Sequence, residues 1–210
     1  MKARPLLLLF PLFVVTCYAG MDPDLKLVRL HNGINSIDLT GDGKADSVVV
    51  AERDNFNAHS YEVSTVYVWT APSKWDPNQL HVVPIERTAD ELKKDEPERL
   101  SVISGGGADC MLHDFRLFRN DKNKSVILIT ADRDFGDSLT DSQHVTFKYY
   151  KLMKNLEGIP GWPAFYFKQC NEYVPKAKYC DVDAAFQKEL GVPSDGRPLR
   201  EAGEETHEPN

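Results

Sequence analysis

The chain has 210 residues, of which 27% are charged and 41% are hydrophobic, and its formal net charge at pH 7 is −7. This acidic balance disfavours nucleic-acid binding, because such binding depends on the neutralisation of phosphates by Lys and Arg. The length and the hydrophobic content suffice for one domain with a core of substantial size.

Residues 1–19 have the pattern of a secretory signal peptide. A basic start precedes the apolar stretch 6–15, and Ala19 ends a small-x-small cleavage motif. The apolar stretch is too short to remain in a bilayer as a permanent anchor. An alternative interpretation places a lipid on Cys17. We expect an exported protein in a bacterial periplasm, with no membrane span in its mature part.

Nine residues, 38–46, predict a loop that wraps a divalent cation. Three aspartates recur at every fourth position, and Gly43 directly after the second allows a sharp turn. The predicted ligands occupy alternate positions of the loop, namely Asp38, Thr40, Asp42, Lys44 through its backbone carbonyl, and Asp46. Oxygen ligands in this pattern favour Ca²⁺ or another hard divalent cation in a structural role.

The loop differs from an EF-hand at its twelfth position. An EF-hand has a bidentate Glu there and a helix on each side. This chain has Val49 at that position, inside the apolar run 47–51 that predicts a buried strand. The pattern therefore predicts a strand-flanked cation loop, and the alternative is an Asp-Gly turn that binds nothing.

Strand patterns dominate the remainder of the chain, where β-branched and aromatic residues recur between turn-forming residues. The clearest predicted strands are 47–51, 61–69, 125–130 and 145–149, and weaker ones are 80–85, 100–104, 111–119 and 164–168. A helix is predicted at 181–190, with Asp181 as its N-cap and Gly191 after its end, and a short polar one at 89–94.

These patterns predict an all-β fold, an antiparallel β-sandwich with short terminal α-helices. We expect one such domain over residues 20–193. The tail 194–210 is rich in Gly, Pro and Glu and has no apolar periodicity, so we expect it to be disordered.

Three cysteines remain once Cys17 is assigned to the signal peptide, and an oxidising compartment favours one disulfide. A bridge from Cys110 to Cys180 would close a loop of about 70 residues, and one from Cys170 to Cys180 a much smaller loop. The spacing alone does not choose between these pairings.

The residues 53–60 predict a polar connection between two strands that could recognise a ligand. Its candidate binding residues are Arg53, Asn55, Asn57 and His59. One interpretation is that this segment is a recognition loop, or that it folds back on the cation loop and forms part of the cation site. The alternative is a connection whose side chains satisfy the local backbone.

Two further segments are candidate sites. In 104–110, glycines permit close approach to a partner, and a protruding loop could present Ser104 and Gly105. The alternative is a bend held by a cysteine. In 132–137, together with Asp141, paired carboxylates could serve acid–base chemistry, but an exposed acidic turn is the more common outcome.

No catalytic motif of the common hydrolases occurs in the sequence. Ser-x-x-Lys, Gly-x-Ser-x-Gly and His-Glu-x-x-His are all missing. This disfavours β-lactamases, metalloproteases and α/β-hydrolases, and leaves hydrolases with other sites as an alternative.

Several segments together resemble the CarG-like family of carbapenem intrinsic-resistance proteins. They are 32–39 running into Asp42-Gly43-Lys44, then 55–60, and 106–110 with the distant 179–182. The resemblance implies a β-sandwich, a bound cation, and protection from a carbapenem without known hydrolysis. It also implies a Cys110–Cys180 disulfide that leaves Cys170 free, and it allows a homodimer.

Periplasmic inhibitors of invertebrate-type lysozyme share that sandwich and supply the alternative function. Such inhibitors insert a loop with Ser-Gly and a following Tyr into the lysozyme cleft. Ser104-Gly105 matches the start of that loop, whereas Gly107 and Ala108 stand where the Tyr is needed. The leading hypothesis is a non-enzymatic resistance protein that binds a carbapenem or shields the drug's target.

Overall fold

The computed structural model describes residues 23–57, 59–72, 77, 79–107, 110–158 and 160–194. The predicted signal peptide lies outside these residues, and so does the predicted tail apart from Ser194.

Ten strands and two short helices make up the described part of the chain. The strands are β1 (Leu25–Leu27), β2 (Gly33–Ile37), β3 (Asp46–Arg53), β4 (Tyr61–Trp69), β5 (Leu80–Val82), β6 (Val102–Gly106), β7 (Met111–Asn120), β8 (Val126–Arg133), β9 (Val145–Lys154) and β10 (Phe165–Tyr173). The helices are α1 (Ala89–Lys93) and α2 (Val182–Leu190). The predicted all-β fold class is confirmed, and every predicted strand is present with shifted ends except 61–69, which matches β4 residue for residue.

Hydrogen bonds join eight strands in the order β10-β9-β8-β7-β6-β4-β3-β2, while β1 pairs with β7 and β5 pairs with β4. The pairings between these strands are antiparallel.

Two strands were not predicted from the sequence, β1 because it is very short and β2 because it contains Gly and Asn, which are poor strand formers. The prediction of terminal helices applies to α2, which follows the last strand. Helix α1 lies between β5 and β6.

β7, β8 and β9 form the central layer, and both faces of these strands are covered. Neighbouring residues alternate between two cores: Leu117 and Leu128 belong to the first, Phe118 and Ile129 to the second. The first core packs these strands against the β3 and β4 half of the same sheet, through Val48, Val50 and Val68 among others. The second packs them against α2, through Val182, Ala185 and Phe186. Burial on both faces explains why the sequence of β8 is almost continuously apolar.

Helix α2 begins and ends as predicted. The Asp181 side chain accepts hydrogen bonds from the N–H groups of Asp183 and Ala184, and Gly191 adopts a left-handed conformation with φ 65°. A buried guanidinium, Arg116, lies beneath the helix and forms ion pairs with Asp183 and with Asp114 of its own strand.

The same guanidinium lies 4.6 Å from the centroid of the Phe186 ring. Burial raises the pKa of Asp183, although the positive charge of Arg116 opposes that rise. These contacts join the helix to the sheet, and the two carboxylates compensate the buried charge of Arg116.

A disulfide joins Cys110 at the start of β7 to Cys180 directly before α2, with the two Cα atoms 5.5 Å apart. This confirms the pairing that the family resemblance implied. Cys170 is not a free thiol in the structure, so the expectation that it stays free is wrong. Among the described helices, neither is long and apolar enough to cross a membrane.

Replacing Cys110 and Cys180 together by Ser should lower the free energy of unfolding by about 4 kcal/mol, because the bridge closes a long loop in the unfolded chain. Urea unfolding of oxidised and reduced wild type and of the double variant measures this. The double variant should have the same free energy of unfolding as wild-type protein whose disulfide was reduced without unfolding it. Equal stability of the variant and the oxidised protein would contradict the prediction.

Candidate functional site

Asp46 organises the loop 38–46. Its side chain is fully buried, with 0% exposure. One carboxylate oxygen accepts hydrogen bonds from the N–H groups of Leu39 at 2.9 Å and Thr40 at 3.0 Å. The other accepts from the N–H of Trp69 at 2.9 Å. One carboxylate therefore fastens the start of the loop to the end of β4.

The other two aspartates of the loop also accept hydrogen bonds from the protein. Asp38 accepts from the N–H of Gly41 at 2.7 Å and from the guanidinium of Arg119 on β7 at 3.1 Å. Asp42 accepts from the N–H of Lys44 at 2.9 Å. The bonds from Gly41 and Lys44 shape the loop from within, as Asp side chains do in tight turns, and the bond from Arg119 joins the loop to β7.

In the part of the chain that the structure describes, no group of three or more His, Cys, Asp and Glu side chains is arranged to hold a metal ion. The three loop carboxylates are directed to different partners, so the five predicted ligands do not form a cage as they stand. The hydroxyl oxygen of Thr40 is buried without a hydrogen-bond partner. Calcium binding by this loop stays a prediction.

A cavity of about 360 Å³ opens beside the loop. Four segments line it: the loop 38–46, the end of β4, the turn between β7 and β8, and the hairpin between β9 and β10. The lining residues are Leu39, Thr40, Asp42, Lys44, Trp69, Thr70, Ala71, Lys124, Val126, Leu152, Met153, Lys154 and Phe165. This volume lies in the range of small-molecule pockets.

The inner wall of the cavity is apolar, since Leu39, Val126 and Phe165 belong to the first core. Trp69 is 39% exposed. Three lysines and one aspartate carry the charges of the lining. The cavity therefore combines an apolar surface with a net positive charge in a chain whose total charge is negative.

Sequence reasoning found the loop side of this cavity but missed the rest. Thr40, Asp42 and Lys44 were predicted site residues, whereas Trp69 was assigned only to a strand. The other walls include Lys124, Val126, Phe165 and the residues 152–154, and no spacing along the chain relates them to the loop. Their proximity arises from strand pairing.

The predicted recognition loop 53–60 lies at the other end of the sheet. β3 runs from Asp46 to Arg53, which separates the two loops by about 23 Å of extended strand. The loop 53–60 is therefore not an extension of the cation site, and that prediction is wrong.

The polar side chains of this second loop mostly bond within it. Asn55 receives a hydrogen bond from Arg53 and donates to the carbonyl oxygen of His59 at 2.8 Å. Asn57 accepts from the N–H of His59 at 2.9 Å. These contacts match the plainer interpretation, in which the side chains satisfy the local backbone. They also hold Phe56, which is 92% exposed, at the loop tip.

Ser104 does not lie on a protrusion, so that prediction is wrong. β6 extends to Gly106, which buries Ser104 to 4% exposure and directs its hydroxyl to Asp114, 2.8 Å away. Gly105 pairs with Tyr61 of β4, and a Cβ atom on it would lie 2.8 Å from the Tyr61 Cβ. Both residues serve strand packing instead of projecting toward a partner.

The acidic segment near residue 137 has local partners. Asp132 lies 2.9 Å from the ring of His113, and Asp141 accepts a hydrogen bond from the N–H of Ser138 at 2.9 Å. A Cβ atom built on Gly107 would lie 3.5 Å from the Leu139 side chain and 4.0 Å from the His59 ring, so both residues lie near Gly107. The contacts are those of an exposed structured turn.

Replacing Asp46 by Asn should lower the free energy of unfolding by about 1–3 kcal/mol, because a buried acceptor of three N–H groups loses its charge and one acceptor oxygen. Asp42→Asn is the matched control, since Asp42 is exposed and accepts one hydrogen bond. Urea unfolding measures both. Equal stability of the two variants would refute the organising role of Asp46.

Calcium should raise the melting temperature of the protein, because an ion that binds only the folded state stabilises it. Asp42→Ala should remove the gain, and Asp121→Ala, which changes an exposed aspartate outside the loop, should keep it. Differential scanning calorimetry with calcium or with a chelator measures the effect. Identical melting under both conditions would rule the cation out.

Comparison with known proteins agrees with the sequence resemblance. A family model described as "Carbapenem resistance protein CarG-like" matches residues 30–188. A solved structure titled "Crystal structure of CarG" has a TM-score of 0.61 and 23% identity, and the match covers 82% of this chain and 99% of that chain. At this identity the likeness shows a shared fold. A search of curated proteins found no match.

All residues that line the cavity lie inside the matched range. Because the family model covers most of the chain, the protein belongs to the CarG-like family.

Proposed function

We propose that this protein protects its host from a carbapenem by binding the drug, without opening its ring, in the cavity beside the loop 38–46. The matched family is described by carbapenem resistance. The observation that carries the proposal is the cavity of about 360 Å³, with an apolar wall and a tryptophan among its lining residues.

The chemistry of the drug class suits this cavity. A carbapenem is a small fused bicycle with an apolar ring face and a carboxylate. The buried side chains of Leu39, Val126 and Phe165 offer an apolar surface for such a ring system. The partly exposed Trp69 supplies an aromatic side chain that a ring can contact.

A structural divalent cation in the loop 38–46 is part of the proposal. Thr40, Asp42 and Lys44 belong both to the predicted cation loop and to the cavity lining. An ion that ordered this loop would therefore fix one wall of the binding site.

The proposed location is the periplasm, reached through the signal peptide 1–19. The disulfide between Cys110 and Cys180 supports an oxidising compartment. A periplasmic binding protein would meet the drug before the drug reaches its targets.

Titration with a carbapenem should change the fluorescence of Trp69 in a saturable way, because the bound drug would alter the surroundings of the indole. Trp69→Phe should remove the response, and Trp162→Phe, which lies outside the lining, should keep it. The absorbance of the intact β-lactam ring should stay constant over hours with the purified protein. Ring opening by the protein would replace this proposal with a hydrolase.

Survival of a carbapenem-sensitive bacterial host provides the functional readout. Expression with residues 1–19 should protect the host, and expression without them should not. A folded cavity variant that no longer binds the drug should fail to protect. Full protection by such a variant would contradict drug binding as the mechanism.

A further inference from the structure

We infer that Lys124 is the anchor for the carboxylate of a small aromatic or bicyclic organic anion, whose rings lie on the apolar wall of the cavity. The inference rests on the proposed function for the identity of the drug, but the anion site itself follows from the geometry of the cavity. Three features carry it: the charge of the lining, the backbone conformation of Lys124, and its packing against Gly41.

The lining carries more positive than negative charge. Lys44, Lys124 and Lys154 line the cavity, and Asp42 is the acidic residue among the lining. In the described parts of the chain, no carboxylate lies within ion-pair distance of these lysines. The ammonium of Lys154 lies 5.6 Å from the centroid of the Phe165 ring. An anion would supply the missing counter-charge.

Lys124 has a backbone conformation that lysine rarely adopts. Its φ is 60°, in the left-handed region where Gly or Asn is the usual choice. The turn is held by hydrogen bonds from the N–H of Lys124 to the carbonyl oxygen of Asn120, and from the N–H of Asn120 to the carbonyl oxygen of Ser125, both 2.9 Å. Residues in such conformations persist where the surrounding structure holds them, and they cluster at active sites and ligand-binding sites.

The stem of Lys124 packs on the loop 38–46 at Gly41. A Cβ atom built on Gly41 would lie 2.7 Å from the Cβ and 2.9 Å from the Cγ of Lys124, so this packing requires glycine at that position. The contact restricts the lysine before any ligand binds. A pre-positioned charge loses less side-chain entropy on binding than a free surface lysine.

The cavity therefore fits a ligand with one carboxylate and an apolar ring system. Lysine acts as a compact point charge without the geometric demands of an arginine fork. Such a site accepts different ring systems and selects for the negative charge. Neutral molecules of the same shape should bind more weakly.

Binding of three probes to the full-length protein tests this assignment: a carbapenem, its carboxylate methyl ester, and phenylacetate. Lys124→Gly removes the charge and suits the left-handed backbone. It should therefore weaken the binding of the carbapenem and of phenylacetate by at least about tenfold without lowering the melting temperature. Lys124→Arg should keep most of the affinity. Isothermal calorimetry measures the affinities.

The matched control is Lys122→Ala. Lys122 lies in the same turn, pairs with Asp24 at 2.8 Å and does not line the cavity. This variant has the same change in net charge and should alter the affinity by less than about twofold. The methyl ester should bind the wild type and Lys124→Gly equally weakly.

The outcomes separate this inference from the proposed function. Carboxylate binding that is unchanged in Lys124→Gly overturns the anchor and leaves the drug-binding proposal standing. Binding of phenylacetate that depends on Lys124, without binding of the carbapenem, supports the anchor and overturns the proposed function. A wild type that binds neither carboxylate overturns both.

Discussion

A single buried carboxylate determines the shape of the cavity end of this protein. Asp46 begins β3, and its two oxygens accept N–H groups from both the β2–β3 loop and the end of β4. A buried carboxyl group needs hydrogen-bond partners for its oxygens, so the three N–H donors must stay in place. The loop that contains Thr40, Asp42 and Lys44 is consequently held beside Trp69, where these residues line one opening.

The opening lies where the first core reaches the surface. Leu39, Val126 and Phe165 belong to that core and also form the inner wall of the cavity. The ion pair between Asp38 and Arg119 joins the loop to the strand on the opposite half of the folded sheet. A ligand would therefore contact side chains whose positions are fixed by the packing of the whole sandwich, which favours a preformed site over one that closes around its ligand.

The two ends of the sandwich differ in character. The end with the loop 53–60 carries the disulfide and a loop whose side chains bond to one another. The end with the loop 38–46 carries lysines around an apolar recess. The polar residues that stand out in the sequence are thus of two physical kinds. Those of 53–60 mostly bond within their own loop, whereas Asp42 and Lys44, which are joined by a hydrogen bond, also line a space that a ligand could fill.

Local patterns were sufficient for β3 to β10 and for α2, because strand composition and the caps Asp181 and Gly191 depend only on neighbouring residues. The family was also recognisable from segments of the sequence. The tertiary structure alone decided that Ser104 is buried, that β1 and β2 form, and that Trp69 and Lys124 meet the loop 38–46. These outcomes depend on which distant segments pair, and the energy of such pairing comes from burial and hydrogen bonds between residues far apart in the chain.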